Sequence, residues 1–512
     1  MPLIFFYPDA SMIEASIIEV WNEAEEPMTN ELPVAVIGAG PVGLAAAAHL
    51  AGRGLTPLIF ERGPSVAHAL RAWGHVRVFS PWAYNVDEAA RALLEPTGWR
   101  APDPEALPTG AEIVRGYLEP LAAHPAIAPH LVLGAEVTAI GRDGFDKLTT
   151  AGRDKAPFLI RWRDGHGGEH RARASAVIDA SGTWFAPNPM GADGAPVRGE
   201  REAADRIAYG IPDVLGAERP AYAGARVLVV GAGHSATNVV LDLLRLHEAA
   251  PGTEVIWALR RDRIEKLLGG GLNDRLPARG ALGLAAARAI EEERLQLLAP
   301  FAAERIERAA KGLRVTARLG GRPYELAVDR IVVATGFRPD LDTLREVRVS
   351  LDPVLEAPPA LAPLIDPNVH SCGTVPPHGA AELAHPEEPG LYVVGAKSYG
   401  RAPTFLMVTG YEQVRSVVAL IAGDHAAARD VRLVLPETGV CSGVPVAAGA
   451  TAIATAGCCG GPAPAGADAC CVRDAEAKAA GEDGCGCGGP ARRSPVPAPP
   501  QVTPAACCAM GV

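Results

Sequence analysis

Residues 32–63 read LPVAVIGAGPVGLAAAAHLAGRGLTPLIFERG, and their order of residue types decides the fold. The apolar run from Val34 to Ile37 reads as a buried strand. It enters a glycine-rich turn and then an alanine-rich helix, and a second apolar run ends at Glu61. Gly38, Gly40 and Gly43 have the spacing G-x-G-x-x-G. The first glycine permits the tight turn, the second lets backbone approach a pyrophosphate, and the third lets helix pack on strand. The pyrophosphate belongs at the helix N-terminus, around Pro41, where unpaired N–H groups and the dipole favour an anion. Glu61 ends the second strand, where a carboxylate accepts both ribose hydroxyls, and Arg62 follows it. The alternative for such glycines alone is a tight strand–helix turn.

The same order returns in residues 225–263, ARVLVVGAGHSATNVVLDLLRLHEAAPGTEVIWALRRDR. Gly231 and Gly233 form the turn, His234 and Ser235 open the helix, and Ala236 takes the third place. The second strand here ends in Arg260 and Arg261 instead of an acid. An acid would repel a 2′-phosphate, whereas arginines bind it, so the site reads as one for NADPH, with NADH second. The plain alternative is that both arginines solvate a strand end. Two more strands end in glycine turns, ASAVIDASGTW at Gly182 and DRIVVATGFRPD at Gly336, and a last one, GLYVVG, ends at Gly395 before an amphipathic helix through Ala419. One nucleotide fold inserted in another explains the order. The expected organisation is α/β: an extension over 1–32, a Rossmann-like domain over 33–195, a second one with its connections over 196–325, the first resumed over 326–435, and a flexible, disordered tail over 436–512.

Composition narrows the class. The 512 residues are 48% hydrophobic and 21% charged, with a net charge of −11 that argues against a nucleic-acid partner. No apolar run is long enough to span a bilayer, and the opening MPLIFFYPDASM lacks the basic region of a secretory signal. Residues 1–27 read as a loose extension before a second plausible start at Met28. Nine of the ten cysteines fall in the last 72 residues, mostly as adjacent pairs. That is no secreted disulfide framework, and a reduced, cytoplasmic setting is expected.

The set GAGPVG…FERG, GAGHSA…LRR, DASGTW and VATGFRPD resembles the two-dinucleotide-binding-domain flavoproteins, which include flavin-containing monooxygenases and pyridine nucleotide–disulfide reductases. The resemblance covers residues 33–425 and implies FAD in the first fold and NADPH in the second. It adds Gly182, Gly336, Gly395, Lys397 and Thr404 to the cofactor-binding candidates. RAWGHVRVFSPW, LPTGAEIVRGYLEPLA and ASGTWFAPNP look more like the monooxygenase branch. Two departures stand out. The monooxygenase pattern F-x-G-x-x-x-H belongs between residues 190 and 220, a span without histidine. Lys397 lies where many disulfide-reductase relatives carry an aspartate, and a lysine there either holds a phosphate or sits near the flavin's developing negative charge. Tyr399, Arg401 and Thr404 are placed to line the isoalloxazine.

Cys372 is the one cysteine before Cys441, so a disulfide within the folded body is excluded by counting. It sits in HSCGTVPPHG between His370 and His378, just before the strand expected to end at the flavin. Read functionally, Cys372 is a soft-ligand or redox thiol whose pKa the histidines lower, or for which they serve as acid and base. Read plainly, it is a small buried hydrophobe in a loop shaped by Pro376 and Pro377. The tail carries Cys458 with Cys459, Cys470 with Cys471, Cys485 with Cys487, and Cys507 with Cys508. Vicinal thiolates suit soft ions such as Hg(II), Cu(I) and trivalent arsenic, and the last pair resembles mercuric reductase ends.

The expected function is therefore an FAD-dependent NADPH oxidoreductase acting on a small molecule, with an oligomer possible. The favoured reaction is monooxygenation of a small soft nucleophile or trivalent metalloid through a flavin hydroperoxide. Two alternatives stay open: an NADPH-dependent reductase of thiol-bound soft metal ions, and a metal-sequestering flavoprotein sensor with little turnover.

Overall fold

The computed structural model describes residues 32–261, 274, 276–367, 375–403, 405–433 and 435. The expected extension up to residue 31 and the cysteine-rich tail lie outside the described residues, as do His370, Cys372 and Thr404.

The decisive segment folds as β1 (Val34–Ile37), a helix over Pro41–Gly52 and β2 (Pro57–Glu61). There follow β3 (Leu131–Leu133), the antiparallel strands β4 (Glu136–Arg142), β5 (Phe158–Arg163) and β6 (Glu169–Ala174), and then β7 (Ala176–Asp179). The second unit has β8 (Ile207–Tyr209), β9 (Arg226–Val230), a helix over His234–Ala249, β10 (Glu254–Ala258), a helix over Pro277–Glu291 and β11 (Gln296–Leu298). It continues with the antiparallel β12 (Phe301–Arg308), β13 (Leu313–Leu319) and β14 (Arg322–Val328), and with β15 (Arg330–Val333). The chain returns with β16 (Leu391–Val393) and a helix over Met407–Ile421.

Two five-stranded parallel sheets result, in the orders β16-β7-β1-β2-β3 and β11-β10-β9-β15-β8. Both are Rossmann-like. One expectation is corrected. The strand of DRIVVATGFRPD was to resume the first fold, but Arg330–Val333 pairs with β9 and β8, so it completes the second sheet. The first sheet is resumed only by β16.

Alternation along β1 explains the layering. Val34 and Val36 face the alanine-rich helix and the helix Met407–Ile421, whereas Ala35 and Ile37 face Ile140, Phe158, Ile160 and Trp162 of the three-stranded sheet. Ala45 to Ala48 are fully buried, so small side chains let the first helix lie close to its neighbours. In the second sheet, Val227 and Val229 face the helix His234–Ala249, and Leu228 and Val230 pack with Leu313, Val315 and Ala317 of β13. Each sheet thus has helices on one face and a small antiparallel sheet in contact with the other, with its glycine turn at the carboxyl edge where dinucleotides bind.

Candidate functional site

In the first turn the three glycines have three separate surroundings. Gly38 has φ of +97°, and a Cβ there would lie 2.9 Å from the Ala180 carbonyl oxygen. A Cβ on Gly43 would lie 1.8 Å from the Gly38 carbonyl oxygen, whereas one on Gly40 would meet nothing within 4 Å. The first and third glycines close the turn, and the second leaves a bare cradle. Gly40 is the N-cap of the helix beginning at Pro41 and offers no side-chain cap. The helix's first N–H groups are left for a ligand. Glu61 is buried, and its carboxylate accepts from the Ala39 and Gly63 N–H groups at 3.0 and 2.8 Å. Arg62 points outward to Glu136 at 2.9 Å and over the Phe185 ring. An open cradle, an uncapped helix and a fixed carboxylate at the strand end fit FAD.

The second turn repeats the arrangement. Gly231 has φ of +142°, with its Cβ position 2.2 Å from the Ala334 carbonyl oxygen, and Gly233 again faces open space. Gly233 caps the helix His234–Ala249 without a side chain, Ser235 lies in its first turn, and Ala236 is buried in the third position. Arg260 and Arg261 are exposed beyond β10, and the Arg260 guanidinium donates to the Ala192 carbonyl at 3.3 Å. The donor set fits a pyridine dinucleotide. The His234 ring meets Phe79 of the first unit at 5.3 Å, which brings the second turn against the first unit.

The two connections between the units are tied together. Gly182 (φ +69°) and Gly336 (φ +90°) turn the chain out of β7 and β15. Beyond them Pro187 bridges Phe337, and Asn188 donates to the Thr335 carbonyl while accepting from Arg338. Trp184 lies between Phe337 and Trp73, with ring centroids 4.9 and 6.5 Å away.

Lys397 holds no exposed position from which to take a phosphate directly. Its ammonium donates to Asp179 at 2.7 Å and to the Ser181 hydroxyl at 3.1 Å, and it is 2% exposed. Arg401 is committed to Glu356. Tyr399 is buried against Phe405 and His378.

His378 belongs to a buried network that the sequence did not reveal. Its Nδ1 donates to the Pro376 carbonyl at 3.0 Å, which leaves Nε2 to accept from the Gln413 amide at 3.2 Å and the Tyr399 hydroxyl at 3.4 Å. Gln413 Oε1 accepts from the Gly395 N–H at 2.7 Å, and its amide also donates to Ser398. Burial holds His378 below the ordinary histidine pKa, and it pushes the Tyr399 phenol up. The readable signal was Thr409, Gln413 and Ser416, polar residues at helical spacing within an apolar helix, all three buried. The expected trio of His370, Cys372 and His378 is not brought together among the described residues, since only His378 is among them. The eight paired tail cysteines lie outside as well.

Comparison with known proteins agrees with this geometry. An indole-3-pyruvate monooxygenase from Oryza sativa subsp. japonica is 32% identical over 235 residues, 45% of this chain and 50% of the relative. A probable indole-3-pyruvate monooxygenase from Arabidopsis thaliana is 29% identical over 222 residues, 42% and 45% of the two chains. The chain thus spans about half the length of the curated relatives it matches. Among solved structures, a bacillithiol disulfide reductase from Bacillus cereus superposes with a TM-score of 0.56 at 17% identity, covering 77% of this chain and 99% of that one. An ornithine N-hydroxylase from Kutzneria sp. 744 gives 0.52 at 16%, covering 78% and 100%. The profile of the pyridine nucleotide-disulphide oxidoreductase family matches residues 32–354, and with both dinucleotide turns in place the chain belongs to that family of flavin-dependent oxidoreductases.

Proposed function

We propose that the protein is an NADPH-consuming monooxygenase of a small soft nucleophile: a sulfur, a nitrogen or a trivalent metalloid. The observation that carries the choice is the cysteine count. Only Cys372 precedes Cys441, so the body has no cysteine pair to relay electrons, while the curated relatives are monooxygenases. FAD, once bound, would supply the redox chemistry between NADPH and oxygen. The chain's own residues do the rest. The bare backbone at Gly40 and the uncapped helix hold the diphosphate, and Glu61 holds the ribose. Arg260 and Arg261 select the 2′-phosphate. Trp184, Phe337 and Asn188 keep the two turns in register. The balance is simple: the hydride of NADPH (two electrons and one proton) and one further proton from solvent reduce O₂, so that one oxygen atom joins the nucleophile's lone pair and the other leaves as water with both hydrogens.

The paired tail cysteines favour a second reading, in which the same electrons reduce a thiol-bound soft metal ion. One experiment separates the two: turn over the full chain with NADPH, isotopically labelled oxygen, and a thioether, an amine or arsenite in turn. Label in the product, with oxygen uptake matching NADPH loss, supports monooxygenation. NADPH loss that needs Hg(II) and proceeds equally without oxygen supports the reductase instead.

A further inference from the structure

We infer that Lys397 is a positioning residue for FAD: it neutralises Asp179 beneath the turn that takes the diphosphate, so that this carboxylate does not repel the cofactor. The inference rests on the FAD reading of the first turn. Asp179 ends β7, between β1 and β16 at the carboxyl edge of the sheet, in register with Ile37 and Val393. The residues after it lie against the glycine turn, since a Cβ on Gly38 would come within 2.9 Å of the Ala180 oxygen and 3.1 Å of Ser181 Cα. Lys397 arrives from the other side, in the segment Gly395–Tyr399. Gly395 packs on Val42 in the first turn of the FAD helix, with its Cβ position 3.4 Å from that side chain. The ion pair therefore joins the two loops that bracket the helix N-terminus.

The charges around the turn make the pairing consequential. Glu61 and Asp179 are both buried carboxylates there, and a diphosphate adds further negative charge. Glu61 is compensated by two backbone N–H groups. Asp179 takes the Ser181 N–H and hydroxyl on one oxygen and the Lys397 ammonium on the other. Without that ammonium, Asp179 keeps the Ser181 donors on one oxygen but carries a buried charge with no counter-ion, and in a poorly solvated site its repulsion of a diphosphate is weakly screened. Losing Asp179 instead leaves a cation, which attracts the diphosphate. A merely structural bolt would suffer equally from either loss.

The test is FAD affinity of the full chain, measured from flavin fluorescence on reloading FAD-stripped protein, for wild type, Lys397→Gln, Asp179→Asn and the double variant. Lys397→Gln is expected to weaken FAD by at least about tenfold. Asp179→Asn is expected to stay within about threefold of wild type or to bind tighter, and the double variant to recover most of the loss. Equal weakening by the two single substitutions, or an unaltered Lys397→Gln, would overturn the inference. If Lys397→Gln does not fold, the double variant decides: folded and FAD-loaded supports the charge role, folded and flavin-free overturns it. A wild-type chain that takes up no FAD would defeat the underlying reading, a separate failure.

Discussion

Gly40 and Gly43 share one turn and carry opposite requirements. Gly43 has no room for a methyl group, with the Gly38 oxygen 1.8 Å from its Cβ position, whereas a Cβ on Gly40 would meet nothing within 4 Å, space that the proposed FAD diphosphate would use. Gly43→Ala is therefore expected to destabilise the apoprotein by about 1–3 kcal/mol. Gly40→Ala should leave the apoprotein's melting temperature unchanged and lower its FAD content after reconstitution. Thermal melts and flavin absorbance on the same samples check both. His378 gives a pH-dependent expectation. Its folded pKa lies below the ordinary value of 6.5, so the unfolded chain binds the proton more readily. Its contribution to stability is complete above about 6.5 and is lost as pH falls through the lower folded value. His378→Gln should flatten the fall in melting temperature between about pH 7 and pH 5. An unchanged slope would assign that fall to other buried groups. The glycines were legible because backbone sterics leave a fixed spacing. The partners of His378 and Lys397 were not, because they meet across distant strands and loops.

Single elements show the same division. The end of β10 was readable, since strand, turn and helix recur and only the terminal residues change from an acid to Arg260 and Arg261. Replacing both with alanine should raise the KM for NADPH by about tenfold or more and leave that for NADH nearly unchanged. Equal loss with both nucleotides would reduce the arginines to strand-end solvation. The strand Arg330–Val333 was misplaced for a physical reason. Its apolar run and its glycine turn are those of any buried parallel strand, and the partner that assigns it to the second sheet, β9, lies a hundred residues away in the chain. Nothing local distinguishes one parallel sheet from another.

At the scale of the whole molecule, two nucleotide turns on two parallel sheets are joined by paired connections locked through Asn188, Phe337 and Trp184. No helix among the described residues is long and apolar enough to cross a membrane. The overall order was legible because each nucleotide unit announces itself with a strand, a turn and a helix. The substrate was not, because no motif comparable to the glycine turns marks a substrate site in the sequence. The most direct test of the central claim is an anaerobic titration of the purified full chain with NADPH, followed by its visible flavin absorbance. The expected result is bound flavin bleached by a stoichiometric amount of NADPH, faster than by NADH, and restored on admitting air. A chain that carries no flavin, or whose flavin NADPH leaves oxidised, would contradict it.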